Sequence, residues 1–265
     1  MDGTRGRVIG EAGVTIGTLS AGSGTPLLLV HGGLGQIERW SPLWGALTGS
    51  FRVTAMDRRG RGSSGDSPDY RIEQEYGDIA AVTAAVGAEL GAPVDVFAHS
   101  YGATCALGAA GLGGAVGRLV LYEPPGTQTV PEDWVTRATA LVEAGRAGAA
   151  MVSFLIEVIG LGSEEVDALR RAPMTYDILA VLSATLPREA RALTEVDPAG
   201  LARNLSCPVT LLLGDRSPAW AGAITAAVAE AVPSAEVVAL PAVGHEAIDA
   251  APDLIVSHLR TLLLG

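Results

Sequence analysis

The sequence contains no lysine. All 18 basic residues are arginine, and 29 acidic residues set the net charge at −11 over 265 residues. A Schiff base, a pyridoxal phosphate anchor and a Walker A loop each need an ammonium group, so all three are excluded. The acidic balance opposes a polyanion, and nucleic acid is therefore not an expected partner. Cysteine is nearly as scarce: Cys105 and Cys207 are the only two. They form no Cys-x-x-Cys pair, which excludes a disulfide scaffold and a thiolate zinc or redox centre and fits a reducing, cytoplasmic location. Long apolar runs are also missing. Leu27 to Val30 and Leu211 to Leu213 fall far short of the ~20 residues of a membrane helix. No apolar stretch follows Met1-Asp2-Gly3-Thr4-Arg5, so neither a secretory signal nor a membrane partner is expected.

Hydrophobic residues make up 48% of the chain and charged residues 18%, a globular composition with material for one large core. Short β-rich runs alternate with segments of helical period, as in βαβ units around a mostly parallel sheet. Arg7 to Ile9 and Val14 to Leu19 read as an opening hairpin. Leu27 to Val30, Arg52 to Met56, Val94 to Ala98, Arg118 to Tyr122, Val209 to Leu213 and Glu236 to Leu240 read as strands buried on both faces. Helical spacing marks Ile72 to Leu90, Tyr101 to Ala110, Ala221 to Val232 and Pro252 to Leu263.

One region breaks the alternation. Residues 127–204 show helical pieces and no strand, which predicts a helical lid inserted after the sixth strand, with residues 1–126 and 205–265 as the core. Most apolar lid residues are expected to pack lid helices on one another. Trp134, Phe154, Met174 and Tyr176, with Leu34 of the core, are the candidate substrate contacts.

Chemistry concentrates at Val94-Asp95-Val96-Phe97-Ala98-His99-Ser100-Tyr101-Gly102. A strand runs into Ser100 and a helix runs out of it, with small residues two positions to either side, as a nucleophile elbow requires. Ala98 stands where the usual G-x-S-x-G pattern has glycine. Upstream, strand Leu27 to Val30 ends in His31-Gly32-Gly33-Leu34-Gly35, a turn that lets backbone approach a ligand. The N–H groups of Gly33 and Tyr101 are the candidate oxyanion hole. Asp57 to Ser64 forms a charged, glycine-rich turn after another strand. His245 follows the last strand on a loop at the C-terminal edge of the sheet, the edge from which Ser100 emerges. His31, His99 and His258 are read as structural.

These segments, in this order, resemble the α/β-hydrolase superfamily across essentially the whole chain. The resemblance implies an eight-stranded, mostly parallel sheet flanked by helices, Ser100 as nucleophile and His245 as base, with no metal or organic cofactor. Serine at the elbow, where haloalkane dehalogenases and epoxide hydrolases use aspartate, disfavours those two activities. The acid is harder to place. Family members commonly carry it after the strand Val209 to Leu213, in a pattern like G-x-x-D-P, but here that segment is Gly214-Asp215-Arg216-Ser217-Pro218. Some subfamilies place it at the end of the preceding sheet strand, where this chain has Glu123. A carboxylate there needs a partner to offset burial, so Glu123 is preferred and Asp215 is the alternative. The expected activity is hydrolysis of a small, largely apolar ester or lactone. The same triad used for carbon–carbon bond hydrolysis or cofactor-free oxidation, and a silent, lid-covered binding protein, stay open.

Overall fold

A computed structural model describes residues 1–265, apart from the side chain of residue 173. Its strands are β1 (Thr4–Ile9), β2 (Thr15–Ala21), β3 (Thr25–Val30), β4 (Phe51–Met56), β5 (Val94–His99), β6 (Val116–Tyr122), β7 (Val209–Gly214) and β8 (Glu236–Leu240). They form one eight-stranded sheet in the order β1-β2-β4-β3-β5-β6-β7-β8. The pairs β1–β2 and β2–β4 are antiparallel and the rest are parallel. All six residues of β5 are buried, because helices cover both faces of the sheet at its centre. Alternate residues divide between those faces. Leu28, Val30, Val96, Leu119 and Leu211 join one apolar cluster, whereas Leu27, Leu29, Phe97, Val120 and Leu212 join the other.

The helices before β6 are α1 (Ser41–Thr48), α2 (Ile72–Leu90) and α3 (Tyr101–Gly111). Between β6 and β7 lie α4 (Trp134–Glu143), α5 (Ala147–Glu157), α6 (Ser163–Arg170), α7 (Pro173–Leu182), α8 (Leu186–Leu193) and α9 (Pro198–Ala202). After β7 come α10 (Ala219–Ala231), α11 (Ala247–Ala250) and α12 (Pro252–Leu264). The short α1, α9 and α11 go beyond the helices that sequence periodicity marks; each spans too few residues to display a 3.6-residue repeat. No helix among the described residues is long and apolar enough to cross a membrane.

Buried polar contacts help to fasten the helices between β6 and β7 to the sheet layer. Arg58, on the turn after β4, forks onto Glu75 of α2 at 2.9 Å and reaches Glu189 of α8 at 2.6 Å, while Arg61 reaches the same oxygen of Glu189 at 2.8 Å. The indole N–H of Trp220 on α10 donates to the carbonyl of Val158 at 3.0 Å. Arg58, Arg61, Glu75 and Glu189 are all buried. Such a cluster tolerates burial only because each charge meets an opposite one.

Glycine is demanded where α3 crosses β3. A Cβ on Gly102 would lie 2.4 Å from the carbonyl oxygen of His31 and 2.7 Å from that of Val30, whereas one on Gly222 in α10 would meet nothing within 4 Å. Gly102→Ala is therefore expected to destabilise by about 1–3 kcal/mol, and Gly222→Ala to stabilise by up to about 1 kcal/mol. Urea unfolding of the two variants beside the parent checks this contrast; equal shifts would show that the α3–β3 approach is slack.

Candidate active site

The loops at the C-terminal ends of β3, β5, β6 and β8 bring the candidate residues together. Ser100 joins β5 to α3 with φ 53° and ψ −130°, a region that costs a non-glycine residue about 1–3 kcal/mol. The turn is held from both sides: Ser100 N donates to Tyr122 O at 2.8 Å, and Ser100 O accepts from Ala103 N at 2.7 Å. A Cβ on Gly32 would lie 2.8 Å from the Ser100 Cβ, so the β3 loop packs directly on the serine. The N–H groups of Gly33 and Tyr101 are not spent on any backbone acceptor among the described residues, and both residues line a cavity with Ser100.

Glu123 follows β6 with φ 51° and is fully buried. Its Oε2 lies 2.6 Å from His245 Nδ1. Its Oε1 accepts from Gly214 N at 2.9 Å and from the Ser217 hydroxyl. Ser217, at the position where the family pattern has its acid, thus supports the carboxylate instead. Asp215 is exposed to solvent, two positions away and outside this group.

His245 is packed on its faces as well as bonded at its edge. The His99 ring lies 4.6 Å away, centroid to centroid, and the Trp220 ring meets it edge-on at 5.3 Å. His99 Nε2 donates to the carbonyl of His245 at 3.1 Å. With Nδ1 held by Glu123, the Nε2 of His245 is the nitrogen left for the cleft that Ser100 also lines. The hydrogen bonds of His245 are those to Glu123 and from His99, and none joins it to Ser100 Oγ; in unliganded sites such contacts are commonly long and tighten on substrate.

The other motif residues build the frame. Asp57 accepts from Ile37 N and Ser63 N, both at 2.8 Å, and so closes the glycine-rich turn. His31 Nε2 accepts from Arg58 N at 3.0 Å, pinning the β3 loop. Burial, with Arg58 nearby, holds His31 well below the ordinary histidine range, and burial beside His245 does the same to His99. Both rings are neutral at neutral pH.

Two spaces share Gly33, Ser100, Phe154 and Ile159 in their walls. The inner pocket has a volume of about 20 Å³ and is walled by Val130, Phe154, Ile159, Leu186, Glu189 and Leu193, among others. The outer cleft offers about 550 Å³. Leu34 lines the outer cleft and Phe154 lines both spaces. The other three predicted contacts need correction. Trp134 is fully buried among the helices between β6 and β7, donating from Nε1 to Ser153 Oγ at 2.8 Å. Met174 is 77% exposed, because α7 turns Thr175 and Leu179 towards the cleft and so presents position 174 to solvent. Tyr176 packs its hydroxyl beside Gly148 of α5. None of the three lines either space. Sequence reasoning missed Trp220 and Glu189; Glu189, in Pro187-Arg188-Glu189-Ala190-Arg191, carries the local signature of a solvated helix face. Among the described residues, no group of three or more histidine, cysteine, aspartate or glutamate side chains is placed to hold a metal ion.

A family model described as the alpha/beta hydrolase family matches residues 27–258. The chain belongs to this family. An alpha/beta hydrolase from Sphaerobacter thermophilus DSM 20745 is 34% identical with a TM-score of 0.83, the match covering 96% of this chain and 98% of that one. The esterase RhEst1 from Rhodococcus sp. ECU1013 superposes with a TM-score of 0.79 at 23% identity, covering 98% of each chain. An enol-lactonase from Burkholderia xenovorans LB400 gives 0.77 at 20% identity, over 96% of this chain and 98% of that one. These last two likenesses show the fold that this alpha/beta hydrolase shares with them. Comparison with curated proteins gave no match.

The neutral His31 and His99 make acid stability predictable in this alpha/beta hydrolase. Their folded pKa values lie below the ordinary 6.5, so on acidification the unfolded chain takes up these protons first. Stability from this source is full above about pH 6.5 and falls below it, by about 1.4 kcal/mol per pH unit for each histidine. Asp78, whose carboxyl burial pushes up to about 6 despite its bonds to Arg59, acts in the opposite sense between its unfolded and folded values. His99→Gln keeps a donor for the His245 carbonyl and should make the acid decline shallower by about 1.4 kcal/mol per pH unit. Urea unfolding of parent and variant at about pH 7.5, 6.5 and 5.5 gives the two slopes; parallel slopes would show that His99 titrates normally.

Proposed function

We propose that this alpha/beta hydrolase is a serine hydrolase that cleaves a small, largely apolar carboxylic ester or lactone through an acyl-enzyme intermediate. The observation that carries the reading is the 2.6 Å bond between buried Glu123 and His245 Nδ1, in the wall of a cleft that Ser100 shares. That bond fixes the tautomer with a free Nε2, which is what a general base for serine needs.

His245 Nε2 takes the proton of Ser100 Oγ as the oxygen attacks the carbonyl carbon. Negative charge moves to the carbonyl oxygen, where the Gly33 and Tyr101 N–H groups receive it. The protonated His245, stabilised by Glu123, returns the proton to the leaving alcohol, and a water then repeats the sequence to release the acid and free Ser100. No metal or organic cofactor enters this scheme. The tight, mostly apolar inner pocket favours a short acyl group, and the outer cleft accommodates the larger leaving group. Esterase and enol-lactonase relatives sharing the fold are in keeping with this chemistry.

Fluorophosphonate labelling and turnover of short p-nitrophenyl esters test the proposal. The parent should label at Ser100 and turn over, and Ser100→Ala should lose label and about a thousandfold or more in kcat. Glu123→Gln should lose about 10²–10⁴ in kcat, with Asp215→Asn within about twofold of the parent. A well-folded parent that neither labels nor turns over any ester sinks the hydrolase reading, and the reverse ranking of the two acid variants would move the acid to Asp215.

A further inference from the structure

Seven buried side-chain polar atoms among the described residues lack a partner, including Nε and Nη1 of Arg61 behind Glu189. Of the residues lining the two spaces, Glu189 and His99 alone carry buried side-chain polar atoms without a partner, namely Glu189 Oε2 and His99 Nδ1. Both are acceptors. His99 spends its ring proton at Nε2, bonded to the His245 carbonyl, which leaves Nδ1 with a lone pair. Glu189 is only 2% exposed. Burial pushes its carboxyl up, but Arg58 and Arg61 outweigh burial and hold it below the ordinary glutamate value, hence ionised.

The two oxygens of Glu189 are used very unequally. Oε1 receives Arg58 Nη2 at 2.6 Å, Arg61 Nη2 at 2.8 Å and the Thr185 hydroxyl at 3.3 Å. Oε2 receives nothing and lies 3.6 Å from where a Cβ on Gly33 would stand, in the wall of the inner pocket. Gly33 supplies one of the two N–H groups to which the mechanism assigns the developing oxyanion. A bare carboxylate oxygen beside that charge raises the barrier by repulsion, unless a proton donor lies between the two.

We propose that Glu189 is a specificity-determining residue: its Oε2 accepts a hydrogen bond from an O–H or N–H donor carried by the acyl group, on the carbon next to the scissile carbonyl. The substrate class thereby narrows from a short apolar ester to a short 2-hydroxy- or 2-amino-acyl ester. This rests on the serine-hydrolase reading. A donor at that carbon satisfies Oε2 while the carbonyl oxygen faces Gly33 and Tyr101. The small inner pocket takes a group of that size and little more. Because the donor also screens the carboxylate from the oxyanion, its benefit grows towards the transition state and is read in kcat as well as KM.

Phenyl propanoate, phenyl hydroxyacetate and phenyl glycinate differ in one acyl atom at nearly constant size, and form the test series. Their kcat/KM values are each divided by the rate of alkaline hydrolysis of the same ester, to remove intrinsic reactivity. The parent should favour at least one donor-bearing ester over propanoate by about tenfold or more, because a site built to bond a donor rejects the isostere lacking it. The hydroxyacetate and glycinate arms tell whether a neutral or a cationic donor is preferred. Two variants follow the same ratio. Arg61→Met combined with Glu189→Gln removes one charge of each sign from the cluster, and Glu189→Asp keeps the charge but withdraws the oxygens; each should lower the preference by about tenfold. Equal corrected rates in the parent overturn the proposal and assign Oε2 to a buried water, and a preference that survives in either folded variant overturns it too. Absence of turnover on all three esters, with no fluorophosphonate label, is instead the failure of the hydrolase reading, so the two failures are distinguishable.

Discussion

The arrangement around Ser100 depends on one buried ion. Glu123 sits at the end of β6 with no access to water, and the desolvation of such a carboxylate costs several kcal/mol unless it is bonded. Its partners come from three places in the chain: the backbone at Gly214, the hydroxyl of Ser217 and the imidazole of His245. Satisfying the ion therefore fixes the end of β7 and the loop after β8 relative to β6. His99 and Trp220 then fill the space around the histidine ring. The same requirement explains the unusual placement of the carboxylate. Ser217 is a donor to Glu123, and Asp215 faces solvent.

A second constraint follows from the absence of lysine. Every buried cation is a guanidinium, whose planar fork can bond two carboxylates at once. Arg58 does this, spanning Glu75 of α2 and Glu189 of α8, and its charged carbon lies 4.5 Å from the centre of the Tyr101 ring. Arg59 forks onto Asp78 beneath it. A flexible ammonium has no such geometry. The helices between β6 and β7 are consequently seated on the core by directional ion pairs as well as by apolar packing.

Legibility in the sequence followed the range of the forces involved. The strands and long helices were readable because burial imposes a period on neighbouring residues, and Ile72–Leu90 is bounded as its spacing predicts. The turns at Ser100 and Gly33 were readable because an elbow and a glycine turn are local geometries with local residue requirements. Glu123 was readable for a different reason: an isolated carboxylate ending a buried strand needs a partner, even before the partner is known. The walls of the cavities were not legible. Trp134, Met174 and Tyr176 are apolar or aromatic residues on helices between β6 and β7, as Phe154 is, and only the rotation of each helix decides which faces the cleft. Glu189 was hidden in the opposite way, since its arginine partners lie 131 and 128 residues distant in the chain.

That distance has a consequence for the order of assembly. Glu123 and His245 are separated by 122 residues, and His99 meets the His245 carbonyl across 146. Contacts of such range form late, because closing a long loop costs entropy before the contact returns anything. A chain that has paired β3, β5 and β6 but not yet docked β7 and β8 holds Glu123 without its glycine, serine and histidine partners. The junction of Glu123 with Gly214, Ser217 and His245 therefore closes only when β7 and β8 dock beside β6.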